Sequence, residues 1–152
     1  MKLTTIKDAL LEDDFVDVRY RELTPDIHEI IQICQKNPSI LICEKEGTSQ
    51  TVDVHDVLYI EWVDSRCCVY TADDVYTLSV SLSQLESALK DQHFVRISKM
   101  ALVNLFKVKS VSNGLNFKLT VKIVNGESVM VSRHYRGELL AAINKLAKEI
   151  VR

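Results

Sequence analysis

Basic and hydroxyl side chains are concentrated at the ends of short apolar stretches in the second half of the chain. From residue 94 onward, eleven Lys and Arg stand against three Asp and Glu, a net charge of +8, whereas residues 1–93 carry −10. Such asymmetry indicates a polyanionic partner for the basic half, most simply nucleic acid. The alternative is that the two halves neutralise each other within one domain, because a sequence does not show which charges share a face.

Common enzyme motifs are absent from the sequence. It contains no glycine-rich phosphate loop, no nucleophile elbow and no HExxH pair. The paired acids at 13–14 and 73–74 lie in polar, turn-like stretches, where a solvated role is expected. The histidines have no carboxylate or cysteine at ligand spacing; they are His28, His55, His93 and His134. We therefore expect no catalytic site, no metal, no cofactor and no small-molecule substrate.

The four cysteines show no CxxC spacing. Cys67 and Cys68 are neighbours, and neighbouring side chains on a strand point to opposite faces, so they do not converge on a zinc ion. Buried free thiols are the expectation, with a redox-responsive thiol as the alternative.

A length of 152 residues suits one domain with a sizeable core. No apolar run approaches the roughly 20 residues that span a bilayer. The first fifteen residues hold acids where a signal peptide would have its apolar core, so a cytoplasmic location is expected.

Residues 1–43 are predicted to form an N-terminal strand-helix-strand extension. Residues 15–20 alternate as a half-exposed strand does. The run Thr24, Pro25 and Asp26 predicts a helix start, with a capping hydroxyl and proline at the first helical position. Apolar residues 40–43 form the second strand. We expect this extension to mediate dimerisation, because an edge strand and an apolar helix face both favour a symmetric partner.

Residues 44–152 are predicted to be a mainly β, α+β domain of small antiparallel sheets with peripheral helices. Short strands rich in branched residues follow one another from residue 51. A helix is expected at 83–91 and a C-terminal amphipathic helix at 137–151. Residues 115–123 alternate apolar and polar types as one strand, and Asn125 and Gly126 predict a type I′ turn into the returning strand.

Several motifs in this region resemble the LytTR-type DNA-binding domain of bacterial transcription regulators. The resemblance extends from about residue 54 to residue 142, more than half of the chain, in the order and spacing of that family. Its features are DVLYIE at 56–61, the helix at 82–89, FVRISK at 94–99, LVNL at 102–105, and NGE followed by VSRHY within 125–135.

The resemblance implies that loops, rather than a recognition helix, contact successive major grooves of DNA and often bend it. Carried over by position, the first contact loop follows YIEWV, the second follows FVRI, and the third contains VSR. These loops comprise Asp64, Ser65 and Arg66; Ser98 and Lys99; and Ser132, Arg133 and His134.

Side-chain chemistry agrees with these positions. Arginine can bond guanine O6 and N7 with two parallel hydrogen bonds, which favours Arg133 and Arg66 as base contacts. Lys107 and Lys109 are expected two apart on one strand, pointing the same way to follow the DNA backbone. Arg96, inside an apolar strand, has the alternative role of a structural partner for an acid such as Glu61 or Glu86.

The expected partner is double-stranded DNA, a promoter operator built of repeats, bound by a homodimer. Relatives that lack a receiver domain are often inhibited by a small membrane protein, which is a further candidate partner here. Two other functions stay open: a regulatory protein-binding module that uses the same fold, and a metal- or redox-dependent enzyme. A steep loss of duplex affinity with added salt would distinguish DNA binding from the first of these.

Overall fold

A computed structural model of the chain describes residues 2, 4–7, 10, 16–35 and 40–151, and it comprises two compact units. The first unit is Met1–Pro38 and the second is Ser39–Arg152. The expected boundary after residue 43 falls inside a strand of the larger unit, because residues 40–43 pair with residues 50–53.

In the smaller unit, helix α1 spans Pro25–Gln35 and begins where predicted. The Thr24 hydroxyl accepts a hydrogen bond from the backbone N–H of Ile27 at 3.4 Å, as expected for a cap. The strand predicted at 15–20 is not observed at 16–20, and residue 15 lies outside the described residues. An alternating pattern forms a strand only beside a partner strand, and the described part of this unit contains none.

The described part of the larger unit contains ten strands and two α-helices. Its strands are β1 (Ile40–Lys45), β2 (Thr48–Asp53), β3 (Val57–Val63), β4 (Arg66–Thr71), β5 (Val75–Leu78), β6 (Phe94–Ser98), β7 (Ala101–Asn104), β8 (Val108–Asn113), β9 (Leu119–Ile123) and β10 (Ser128–Val131). The helices are α2 (Leu82–Ala88) and α3 (Arg136–Val151). Among the described residues, no helix is both long and apolar enough to cross a bilayer.

The strands form two antiparallel sheets. The larger sheet has the order β2-β1-β5-β4-β3-β7-β6, and the smaller one has the order β10-β9-β8. The expected mainly β fold with peripheral helices is thus confirmed. Strands β3 and β7 each have a neighbouring strand on both sides in the larger sheet.

Two apolar clusters form the core. One contains Leu82, Leu85 and Leu89 of the α2 region with residues of the larger sheet such as Ile60 and Leu102. The other joins residues of the larger sheet to the smaller sheet and α3, and its fully buried members include Ile97, Val103, Val121, Ile123 and Leu139. The second cluster holds the start of α3 against β6, next to the segment between β10 and α3.

Ser81 caps helix α2. The Ser81 hydroxyl accepts a hydrogen bond from the Gln84 N–H at 3.1 Å, and the Gln84 side chain accepts one from the Ser81 N–H at 2.9 Å. This reciprocal pair satisfies two backbone donors of the first turn.

The long strand predicted at 115–123 is wrong in its first part. Leu115–Phe117 form a tight turn in which Asn116 and Phe117 have positive φ, and the strand begins only at Leu119. Both neighbours end there, because Asn113 of β8 and Val131 of β10 pair with Leu119. Residues before Leu119 therefore have no partner strand, and their alternation does not produce a strand.

The β9–β10 hairpin is where predicted, but its turn is not type I′. A type I′ turn needs positive φ at both central residues, and of the predicted pair only Gly126 has it, at 93°. The Gly126 N–H donates to the Ile123 carbonyl at 2.9 Å, and the Asn125 side chain accepts from the Glu127 N–H at 3.1 Å.

Candidate nucleic-acid interface

The first predicted contact loop is a two-residue turn between β3 and β4. Asp64 and Ser65 both have positive φ, 48° and 65°, as a tight hairpin of this kind requires. Arg66 is the first residue of β4 and is exposed. The turn therefore presents Ser65 and Arg66 at the tip of the hairpin.

The second predicted loop lies beside the first. Ser98 ends β6, and its hydroxyl accepts a hydrogen bond from the Met100 N–H at 3.1 Å, which tightens the turn around Lys99. The Met100 carbonyl accepts a hydrogen bond from the Trp62 N–H at 2.8 Å. Because Trp62 is one residue before the end of β3, this bond places the two loops at the same end of the larger sheet.

The third predicted loop joins this end through a backbone hydrogen bond. The Ser132 N–H donates to the carbonyl of Ile97, in β6, at 2.9 Å. Arg133 and His134 follow in a short 3-10 turn that leads into α3, and both are exposed. We call residues 64–66, 98–100 and 132–134 together the loop end of the larger unit.

Arg96 organises the second loop. Its Nε donates to the Ser98 carbonyl at 3.0 Å and its Nη2 to the Lys99 carbonyl at 2.8 Å. Its Nη1 pairs with Glu86 Oε2 at 2.8 Å, so the acid partner is Glu86 rather than Glu61. The sequence indicated the ion pair as one possibility. It did not indicate the two hydrogen bonds from Arg96 to the loop backbone, because no local sequence pattern predicts them.

Two arginines connect the third loop to the segment between β8 and β9. Arg133 Nη2 donates to the Asn116 carbonyl at 3.1 Å. Arg136 Nη1 donates to the Phe117 carbonyl at 3.0 Å, and its Nη2 to Asn113 Oδ1 at 3.2 Å. Sequence reasoning did not identify Arg136, although its spacing of three from Arg133 was an available signal.

Lys107 and Lys109 lie at the opposite end of the unit. Lys107 ends a 3-10 turn, and only Lys109 lies in β8, so the expected shared strand is wrong. The Lys107 carbonyl accepts from the Val124 N–H at 2.9 Å, beside the β9–β10 hairpin. We call residues 104–109 and 123–127 the hairpin end.

The length of β3 separates the two ends. Asn104 Nδ2 donates to the carbonyl of Val57, the first residue of β3, at 2.8 Å, whereas the loop end adjoins its last residues. Seven residues of strand extend about 20 Å. The structure thus gathers seven of the nine predicted site residues and leaves the two lysines apart.

The thiols differ in exposure. Cys43 and Cys67 are buried, Cys68 is half-buried and Cys34 is exposed, so the expectation of buried thiols is wrong for Cys34. Burial raises the pKa of Cys43 and of Cys67 to about 11, which disfavours the reactive thiolate. In the part of the chain that is described, no group of three or more His, Cys, Asp or Glu side chains is placed to hold a metal ion.

Comparison with known proteins gives the larger unit a family. The protein-family model of the LytTr DNA-binding domain matches residues 47–144 of this chain. A solved LytTr DNA-binding domain from Bacillus cereus superposes with a TM-score of 0.66, at 22% identity, over 70% of this chain and 98% of that one.

Two curated relatives illustrate the range of lengths. The sensory transduction protein LytT of Bacillus subtilis (strain 168) is 28% identical over 121 residues, which cover 80% of this chain but only 50% of that protein. An uncharacterised HTH-type transcriptional regulator of Staphylococcus aureus (strain NCTC 8325 / PS 47) is 22% identical over 137 residues, covering 89% of this chain and 92% of the relative. Together with the domain match, these likenesses show that the chain belongs to the LytTR family of DNA-binding transcription regulators.

Proposed function

We propose that this protein is a sequence-specific regulator of transcription that binds the major grooves of its operator through the loop end. The observation that supports this most is the pair of backbone bonds, Trp62 to Met100 and Ser132 to Ile97, that holds three separate loops at one end. Because these loops are already fixed relative to one another, they can match the spacing of groups on a duplex without losing conformational entropy on binding.

Each loop brings a different contact. Arg133 and Arg66 are exposed guanidinium groups suited to guanine O6 and N7. Lys99, at the tip of its turn, has the reach to bond a base or a phosphate. Hydroxyl and imidazole groups complete the set, since both bond phosphate oxygens and base edges; they belong to Ser65, Ser98, Ser132 and His134.

We further propose that the protein binds its operator as a homodimer, through residues 1–43. Helix α1 exposes Ile33, and the open face of β1 exposes Ile40 and Ile42. Exposed apolar side chains of this size favour burial against a second copy. Sedimentation without DNA at high micromolar concentration tests this, with a dimer as the expected result and a monomer as the contrary one.

Selection of bound duplexes from a random pool tests the DNA-binding proposal. The selected duplex is then titrated against a scrambled control at near-physiological salt. A preference of roughly a thousandfold or more is expected of a specific regulator, together with a repeated sequence in the selected duplexes. Weak binding that ignores sequence would contradict the proposal and favour a protein-binding module on the same fold.

A further inference from the structure

The segment that joins β8 to β9, from Asn113 at the end of β8 to residue 118, presents apolar side chains to solvent. Leu115 is 90% exposed and Phe117 is 79% exposed, the highest values among the large apolar side chains described in the larger unit. Exposed apolar groups that cluster beside a binding site are a common mark of contact with a partner.

This segment has a defined shape. The Gly114 N–H donates to the Lys118 carbonyl at 2.6 Å and closes the loop. Asn116 and Phe117 both have a φ of 61°, a backbone conformation that a phenylalanine rarely adopts. The bonds from Arg133 and Arg136 to the carbonyls of these two residues hold that conformation. The fold therefore keeps Phe117 outward, beside the third contact loop.

The surroundings of the apolar tip are cationic. Residues 108–126 contain no Asp or Glu, and Lys118 lies next to the tip, with Arg133 and Arg136 bonded to its backbone. A duplex offers the complementary arrangement, because phosphates flank grooves whose sugars and base surfaces are apolar. Apolar side chains such as Phe and Leu are known to pack into a groove or between base steps, beside arginine and lysine contacts.

We propose that residues 113–118 form a fourth DNA-contact loop, in which Leu115 and Phe117 pack against sugars and base surfaces of the duplex next to the groove that Arg133 enters. This inference rests on the proposed function of the loop end. It adds an apolar contact to contacts that are otherwise polar.

A double variant, Leu115→Ser with Phe117→Ser, tests the contact. Its matched control is Val124→Ser, an apolar residue 53% exposed at the hairpin end of the same sheet. Against the duplex selected by the wild-type protein, we expect the double variant to bind on the order of tenfold more weakly and the control to be unchanged. The slope of log affinity against log salt stays at its wild-type value, because no phosphate contact is lost.

The outcomes separate this inference from the proposed function. A wild-type protein that selects no preferred duplex would overturn both. A wild-type protein with a clear operator, and a double variant that binds like the Val124→Ser control, would overturn the fourth loop alone. A reduced salt slope in the double variant would also overturn it, since the loss would then come from displaced cations.

Photocrosslinking distinguishes DNA from a second protein copy as the occupant. With the photoreactive analogue p-benzoylphenylalanine in place of Phe117, irradiation of the complex with the selected duplex is expected to give a protein–DNA adduct. An adduct between two protein copies alone, or none at all in a complex confirmed by gel shift, would overturn the proposal.

Discussion

The loop end and the hairpin end of the larger unit both carry cations, yet they use their polar groups differently. At the hairpin end, side chains bond within the fold: Asn104 bonds the Val57 carbonyl, and the Tyr59 hydroxyl donates to Glu127 at 2.7 Å. At the loop end, Arg96 bonds the backbone of an exposed turn and leaves Lys99 outward. Charge in the sequence therefore does not separate the surface that we propose for DNA binding from the hairpin end, whereas the partners of their polar side chains differ.

The largest expected effect is on stability, at the hairpin end. Asn104 is only 3% exposed, and its Oδ1 also accepts from the Phe106 N–H at 3.1 Å. Asn104→Ala leaves the Val57 carbonyl and the Phe106 N–H without these partners, so we expect the free energy of unfolding to fall by about 3 kcal/mol. Urea titration measures this. Operator affinity at temperatures where the variant is folded should stay within about twofold, because no loop-end group changes.

Asn125→Ala is the matched control for that variant. Asn125 also accepts a backbone bond at the hairpin end, from Glu127, but it is exposed, so we expect a loss below about 1 kcal/mol. Equal losses for the two variants would contradict the structural role of Asn104.

The next effect is on affinity, at the loop end. Arg133→Ala should weaken binding to the selected operator by about 2 kcal/mol and flatten discrimination at one base pair. Because Arg133 is exposed, the unfolding free energy should change by less than about 0.5 kcal/mol. Titration with duplexes substituted at each position measures the affinity and the discrimination, and urea titration measures the unfolding free energy.

Arg133→Lys sharpens that test, because it keeps the charge and removes the paired donors. We expect it to lose base discrimination as Arg133→Ala does while keeping more of the general affinity. Wild-type discrimination in the lysine variant would show that Arg133 contacts only phosphate.

A smaller effect is expected from Arg96, as a positioning residue. Lysine in its place can still pair with Glu86 but cannot bond both loop carbonyls as well, so Arg96→Lys should weaken operator binding by about 1 kcal/mol. NMR of the free variant should show altered amide shifts at Ser98 and Lys99. Glu86→Gln, which leaves the loop bonds in place, is the control and should change affinity less.

The smallest effect is expected from Lys107. It lies about 20 Å from the loop end, beyond the Debye length of about 8 Å at physiological salt, so Lys107→Ala should change operator affinity by less than about 0.3 kcal/mol. A uniform loss for all duplexes, with the salt slope reduced by about one, would instead support the sequence-based expectation that Lys107 follows the DNA backbone.

Local patterns predicted much of the fold. The start of α1 at Thr24 and the C-terminal helix each follow from residues within a few positions of one another, and the structure has both. Segments with an alternating pattern also form strands where neighbouring strands are present to pair with them. The error at Leu115–Phe117 occurs because the alternating pattern has no partner strand there.

The sequence indicated the residues of the candidate site, but it did not indicate how the loops that carry them are held together. VSRHY and FVRISK resemble the family's motifs, which directed attention to Arg133 and Lys99. The bonds that assemble the loops join residues 35 to 38 positions apart, since Ser132 bonds Ile97 and Trp62 bonds Met100. Such contacts depend on the register of the whole sheet, and no local spacing encodes them.

The most direct test of the loop end as the DNA-binding surface is an NMR titration of isotope-labelled protein with its selected operator duplex. We expect the largest amide shifts at Ser65, Lys99 and Arg133, and wild-type positions at Lys107 and Glu127. The largest shifts at the hairpin end, with residues 64–66 and 98–100 unmoved, would contradict the account.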